Sequence, residues 1–415
     1  MRNAHFWPLV IGAALLAAPA FAEDQAPAAT DTEARLEELK GRLDGMTEQL
    51  QTLQTDTDKL KRFKFSGYIQ ARWETAENSS DTVKVSGSPA TLTQSNVSRF
   101  YIRRGRLKLT YDSSPLSQAV VYFDGGQDRA IRLLEAYLTF TDPWVQKHQL
   151  TVGQINVPFG YEIERSSSVR ELPERSRAEN LLFSGERDRG LKIVSQWTPR
   201  LETLVGLLNG GGINHPDFPN TDPTAAKDFV GRARWSQGIW DAAVSYYGGK
   251  NITPLTGADV STDKTRLGVD AQAYYELPTL GGGSLKGEFY GGKNVNADSV
   301  KTLVAAATSA NPVTLLKSGA NAEHLATDFT GWYAMWVQSL GDKMQLAARY
   351  DFFDPNTDLE HDQFERIGLG LNYFYDGFTR MTVAYDIPTT DKSIGGGKYE
   401  DPKDNLWTVQ FQHKF

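Results

Sequence analysis

The chain holds six histidines, His5, His148, His215, His324, His361 and His413. They are scattered, without HExxH or any paired spacing, so a zinc hydrolase is not implied. The absence of cysteine excludes a thiol nucleophile, a disulfide framework and thiolate-held zinc or iron–sulfur clusters. Neither GxSxG nor GxxxxGK[ST] occurs, and Gly210–Gly212, Gly281–Gly283 and Gly395–Gly397 read as turn glycines. What remains is cations set two residues apart. Arg104, Arg106 and Lys108 form one row, Arg232 and Arg234 another, and Arg349 is followed two residues on by Asp351. Arg165, Arg170, Arg175, Arg177, Arg187 and Arg189 crowd a stretch at about 159–189. Seven acids share that stretch: Glu162, Glu164, Glu171, Glu174, Glu179, Glu186 and Asp188. Cations in such rows attract and guide anions but make no bonds. These residues therefore point to attraction of anions, with no catalytic residue, no metal site and no cofactor implied. An overall charge of −7 argues against a nucleic-acid partner.

Spacing of two demands strands. From residue 63 apolar and polar residues alternate, as in Phe65, Gly67, Ile69, Ala71 and Trp73 against Ser66, Tyr68, Gln70, Arg72 and Glu74. Sixteen such segments are expected, at 63–77, 98–112, 117–125, 130–142, 149–158, 190–198, 201–210, 228–236, 239–249, 264–277, 284–293, 328–340, 343–353, 364–375, 379–388 and 405–415. Their connections alternate short and long, except that the one near Gly125–Arg129 is brief. Short turns lie at Ser113–Leu116, Pro143–His148, Pro199-Arg200, Gln237-Gly238, Pro278–Gly283, Gly341-Asp342 and Asp376–Phe378. Long ones lie at about 78–97, 159–189, 211–227, 250–263, 294–327, 354–363 and 389–404. An even number of strands with every long loop at one end is the pattern of an all-β, antiparallel transmembrane barrel in the outer membrane.

The two faces agree with that setting. One mixes Gly, Ala, Leu and Val with aromatics near strand ends (Trp73, Tyr111, Phe140, Trp197, Trp235, Tyr275), as lipid and its two interfaces require. The other carries Arg104, Arg106, Lys108, Arg232, Arg234 and Arg349, opposed by Glu74, Glu135, Asp270 and Glu288, and is too polar for a dry core. A water-filled lumen accommodates it, and a barrel of this size is wide enough for a channel. By strict alternation Tyr101, Gly105, Leu107, Leu109 and Tyr111 share the outer face of the second strand. The last strand sets Trp407, Val409, Phe411, His413 and Phe415 on one face, and its terminal aromatic suits recognition by the barrel-assembly machinery. Asp354, Asp358, Glu360 and Asp362 read as a solvated acidic external loop.

Ahead of the barrel, Arg2, the apolar run Phe6 to Leu16 and Ala20-Phe21-Ala22 read as a signal peptide over 1–22, cleaved after Ala22. Residues 23–62 hold a linker followed by a periplasmic coiled-coil segment, and 63–415 the barrel domain. Leu36, Leu39, Leu43, Met46, Leu50, Leu53 and Leu60 recur at spacings of three and four, a heptad seam. A helix this short needs a partner, either other copies of the chain or a surface of the same chain.

The barrel resembles the phosphate-selective porin O/P family of bacterial outer-membrane porins. The resemblance is carried by Phe65-Ser66-Gly67-Tyr68, Ile102-Arg103-Arg104-Gly105-Arg106, Gln154-Ile155-Asn156-Val157-Pro158-Phe159-Gly160-Tyr161-Glu162, Arg187-Asp188-Arg189-Gly190, Ala347-Ala348-Arg349-Tyr350-Asp351 and Gly368-Leu369-Gly370-Leu371-Asn372-Tyr373. It implies a homotrimer of 16-stranded barrels in outer-membrane lipid and lipopolysaccharide. It further implies an inward-folded third loop and an anion pathway of basic lumen residues, with small anions, phosphate or polyphosphate among them, as permeants. The expected pathway is Arg104, Arg106, Lys108, Arg165, Arg170, Arg175, Arg177, Arg232, Arg234 and Arg349. The third loop has no lysine and nearly balanced charge, which favours a general anion preference over strict phosphate selectivity. The competing readings are a structural, envelope-tethering barrel with little conductance, and a barrel enzyme.

Overall fold

The computed structural model describes residues 29–77, 98–126, 130–183, 185–213, 226–255, 258–295, 326–390, 392–395, 398–401 and 404–415. The signal segment, its cleavage point and much of the long loops at 78–97, 211–227 and 294–327 lie outside them. The chain divides into two units between Lys61 and Arg62. The described residues of the first form one helix, α1 (Ala29–Lys61). Its seam residues from Leu36 to Leu60 are all more than half exposed, forming an uncovered apolar stripe.

The second unit is the barrel. Its strands are β1 (Phe63–Ala76), β2 (Ser98–Ser114), β3 (Ser117–Asp124), β4 (Arg132–Thr141), β5 (His148–Asn156), β6 (Arg187–Thr198), β7 (Leu201–Leu208) and β8 (Asp228–Gln237). Then come β9 (Trp240–Leu255), β10 (Ala258–Leu277), β11 (Gly281–Val295), β12 (Ala326–Leu340), β13 (Met344–Asp354), β14 (Phe364–Phe374) and β15 (Thr379–Thr390). A small hairpin, β16 (Lys392–Gly395) with β17 (Lys398–Glu400), precedes the closing strand β18 (Leu406–Lys414). Sixteen strands pair antiparallel in sequence order, and β18 returns to β1 to close the barrel. All sixteen expected strands are present.

Alternation decides the faces. Tyr68, Gln70, Arg72 and Glu74 point inward on β1, while Leu107, Trp197, Trp235, Val269 and Phe289 stay exposed on the outer wall. Three features depart from the expected pattern. First, a bulge at Arg103 shifts the β1–β2 register between Gln70↔Arg104 and Ala71↔Ile102. An extra residue inverts every face beyond it. Tyr101 therefore faces the lumen, where its hydroxyl donates to Glu74, and Phe100 takes the outer face. Second, the stretch 250–263 is mostly ladder: β9 and β10 stay paired from Lys250↔Asp263 to Leu255↔Ala258. Third, β6 starts at Arg187, so Arg187 and Arg189 are strand residues and the third loop, L3, ends at Glu186.

Closure is tight where the first and last strands meet. Phe415 exchanges backbone hydrogen bonds with Gly67, at 2.9 and 3.1 Å. A Cβ on Gly67 would fall 2.3 Å from the Arg106 carbonyl and 2.6 Å from the Phe415 ring. Gly67→Ala should therefore cost about 1–3 kcal/mol, measured as a lower temperature for loss of the heat-modifiable band of the folded barrel. Gly105→Ala, whose new methyl would meet nothing closer than 3.9 Å, should leave that temperature unchanged.

Candidate functional site

L3 leaves the barrel wall after β5 and folds into the lumen, as its length leads one to expect. One flank of the loop is apolar. Phe159, Ile163, Leu172, Ala178, Leu182 and Phe183 are buried against wall residues that include Tyr247, Tyr290, Phe329, Tyr333 and Phe353. Inward glycines make the room: a Cβ on Gly268 would meet Phe159 at 2.8 Å, one on Gly331 would meet Ala178 at 3.0 Å, and one on Gly370 would meet Leu172 at 2.7 Å. A one-turn helix, α2 (Arg177–Leu182), forms within the loop, with the Ser176 hydroxyl accepting from the Glu179 N–H.

The rest of L3 is held by charge. The Glu174 carboxylate receives Arg72 at 2.7 Å and Arg103 at 2.8 Å, with Arg104 at 3.5 Å. Burial alone would raise its pKa, but Arg103, Arg72 and Arg104 outweigh that and hold it well below the ordinary glutamate range. Glu171 lies against Lys286, and burial is again outweighed, here by Lys286 and Arg165. Glu162 accepts from Arg349 at 2.9 Å, and the N–H of Arg177 donates to Asp351 at 3.0 Å. Near the loop's middle, the Ser167 and Ser168 carbonyls accept from Gln70 (3.1 Å) and Gln412 (2.9 Å) across the closing seam. L3 thus crosses the lumen from β1, β2 and β18 to β11, β13 and β14.

This crossing engages most of the cations expected along the passage. Arg104 donates to Gln70 at 2.9 Å, and Arg106 pairs with Asp124 at 3.1 Å. Arg165 pairs with Glu171, Arg232 with Asp270 and Arg234 with Asp241. Arg175 is 2% exposed and donates to the carbonyls of Glu162 and Ile163, a strut inside the loop. Arg177 lies over the Phe364 ring, and Arg170 is buried with Glu186 at 3.8 Å. Lys108 faces inward, half-buried, with no ion pair among the described residues. Arg72, Arg103, Lys264 and Lys286 also enter the ionic lattice. Alternation marks Arg72 and Lys286 as inward, whereas nothing in the sequence marks the bulge that turns Arg103. The lumen is not simply water-filled, as its polarity suggested: carboxylates brought by L3 replace water as counter-charge.

The other flank stays open. A cavity of about 770 Å³ lies along β2 to β6, in the half nearer the short turns. Its acids are neutralised: Asp112 pairs with Lys64 at 2.7 Å and Glu135 with Arg187 at 3.0 Å. Lys192 stands on the cavity wall with no ion pair among the described residues. Apart from Arg62 at its edge, the remaining wall mixes hydroxyl and amide side chains with Tyr137 and the apolar Pro115, Leu116, Ile155 and Val194.

Residues 87–415 match the model of the phosphate-selective porin O and P family. The chain belongs to that family. A search of curated protein sequences returns no match. Among solved structures the porin barrel is similar to an anion-selective porin from Comamonas acidovorans, at 11% identity, over 85% of this chain and 99% of that one, with a TM-score of 0.56. It is also similar to the outer membrane channel DcaP of Acinetobacter baumannii (13% identity, 85% and 97% covered, TM-score 0.55). The trimer form of OmpT from Vibrio cholerae is a third (13% identity, 85% and 99% covered, TM-score 0.54). Identities this low report the fold alone. The protein is an outer-membrane porin.

One buried carboxylate in this porin's loop has no ion pair among the described residues. Glu179 on α2 is 1% exposed, and neither of its oxygens makes a hydrogen bond. It and Glu288 of β11 converge on Gly160, within 3.3 and 2.0 Å of the point a Cβ would occupy there. The Tyr290 hydroxyl lies beside them, Glu162 adds a further carboxylate, and Arg175 and, from β10, Arg266 are opposing charges close by. Burial, then Glu288 and Glu162, raise the Glu179 pKa well above the ordinary 4.5. A carboxyl raised in the folded state contributes stability below its unfolded pKa and loses it as pH climbs through the folded one. The melting temperature of the detergent-solubilised porin should therefore fall as pH rises above 4.5, and Glu179→Gln should flatten that slope while leaving the acid side, governed by Glu174 and Glu171, unchanged.

Proposed function

We propose that the porin conducts small anions by passive diffusion along the flank that L3 leaves open, with phosphate or polyphosphate among the family's permeants. The observation that carries this reading is the cavity on β2 to β6. Both of its acids are neutralised, while Lys192 on the wall is not. An uncompensated cation enriches anions within about a Debye length, ~8 Å in physiological salt. Lys108 and Arg380, also without ion pairs among the described residues, would extend that field along the passage, although Asp386 likewise has none. In this reading Arg104, Arg106, Arg165, Arg175 and Arg349 act mainly as the frame that fixes L3, Arg232 and Arg234 are spent on the wall acids Asp270 and Asp241, and a general anion preference follows rather than a phosphate trap. A structural barrel with little conductance is disfavoured by the open flank.

The remaining parts follow the same reading. Residues 1–22 direct export and are cleaved after Ala22, Phe415 presents the barrel to its assembly machinery, and lipid and lipopolysaccharide surround the outer wall. The α1 stripe is covered by the same stripe of two further copies, giving a homotrimer. One neighbour is described as a trimer form.

Two experiments test this. In planar bilayers under a potassium chloride gradient, the reversal potential should favour chloride, and Lys192→Glu should move it toward potassium. A wild-type channel that already favours potassium overturns the anion assignment. Separately, deleting residues 29–61 should lower the melting temperature of the oligomer while leaving a folded barrel. Unchanged melting and subunit number would make α1 incidental to assembly.

A further inference from the structure

We infer that the open flank is a binding site for polyhydroxylated monoanions, that is, sugar acids bearing one carboxylate and a run of hydroxyls. This rests on the reading of that flank as the anion path. The site is set by strand register. Gln118 pairs with Thr139, Thr139 with Thr151 and Thr151 with Lys192, so four neighbouring strands, β3 to β6, contribute one continuous row. Strands lie ~4.8 Å apart, so the row spans roughly 14 Å, ample for a six-carbon chain. The Thr139 and Thr151 hydroxyls are 3.2 Å apart. Threonine hydroxyls both donate and accept, which is what sugar hydroxyls require of a partner, and Gln118, whose amide nitrogen donates to Asp112 at 2.7 Å, presents its carbonyl oxygen as an acceptor. Tyr137, two residues along β4 on the same face, adds a ring surface for carbon-bound hydrogens. Lys192 ends the row as its only cation, and Arg62 at the cavity's edge is tied to the Ser113 carbonyl.

This composition discriminates between anions. Phosphate is best held by several guanidiniums in forked pairs. Here Arg62, the guanidinium on the lining, is tied to a backbone carbonyl, and Arg187 behind the cavity acid Glu135 is committed to it through two hydrogen bonds, at 3.0 and 3.2 Å. One ammonium beside a hydroxyl and amide row suits one carboxylate followed by hydroxyls. At about 770 Å³ the cavity falls within the ~300–1,000 Å³ of small-molecule sites.

The test is block of the chloride current through the intact porin in planar bilayers, with sodium gluconate, sodium acetate, sodium phosphate and glucose as probes. Gluconate should half-block at a concentration about tenfold or more below each of the other three, a difference of about 1.4 kcal/mol. Lys192→Gln should remove that advantage, and Thr139→Val with Thr151→Val should reduce gluconate toward acetate. Phosphate blocking as well as gluconate overturns the inference, as does equal block by gluconate and acetate. Both comparisons use the wild-type chain, so a misfolded variant does not spoil them. A wild-type reversal potential favouring potassium sinks the anion path itself. Chloride preference without gluconate preference sinks only the binding site.

Discussion

A charge taken out of water must meet an opposite charge, and the interior of this barrel is arranged around that requirement. Three arginines from the first two strands converge on Glu174, a single carboxylate in the middle of L3. Leaving any of them buried and unpaired would cost several kcal/mol. The same carboxylate would be as costly without them. The wall therefore needs the loop as much as the loop needs the wall, and the crossing of the lumen follows from that mutual dependence. Lys286 with Glu171, and Arg349 with Glu162, repeat the arrangement on the opposite side.

Ion pairs alone would hold the loop without fixing its shape. The apolar flank does that. Phe159, Leu172 and Ala178 sit where the wall offers glycine instead of a side chain, so each fits at only one place. The aromatic cluster around them, with Phe159 and Phe183 at 4.8 Å and Phe183 and Tyr247 at 5.7 Å, excludes water from that side. Burial there strengthens the neighbouring electrostatics, since charges interact more strongly as the surroundings become less polar.

Much of this was legible in the sequence, for a physical reason. A strand between lipid and lumen must alternate, so all sixteen strands could be located, and the inward row of Arg104, Arg106 and Lys108 with them. Alternation fails where a residue is inserted: no residue type announces the bulge at Arg103, and Tyr101 was assigned to the wrong face. It also falls silent outside the bilayer, where both faces of a ladder can meet water, and so the extended β9–β10 hairpin reads as a loop. The candidate site was legible in its residue types but not in its pairing. Arginines and carboxylates far apart in sequence have no signature of mutual contact, so residues that read as pathway cations lie within the frame. Lys192 and the threonines opposite it carry no such mark, because a single lysine among neutral residues is an ordinary strand pattern.

The crossing leaves the lumen lopsided, and that has an evolutionary consequence. On the side of β9 to β14, a wall residue can change only if L3 changes with it, because each contact there is shared. On the side of β3 to β6 the wall meets solvent, and a substitution alters what the passage favours without unseating anything. Inheritance of the scaffold and drift of solute preference are thereby separated onto two halves of one cylinder. Descendants of such a chain could exchange one permeant for another by a few substitutions on the free half, with the fold carried along unchanged.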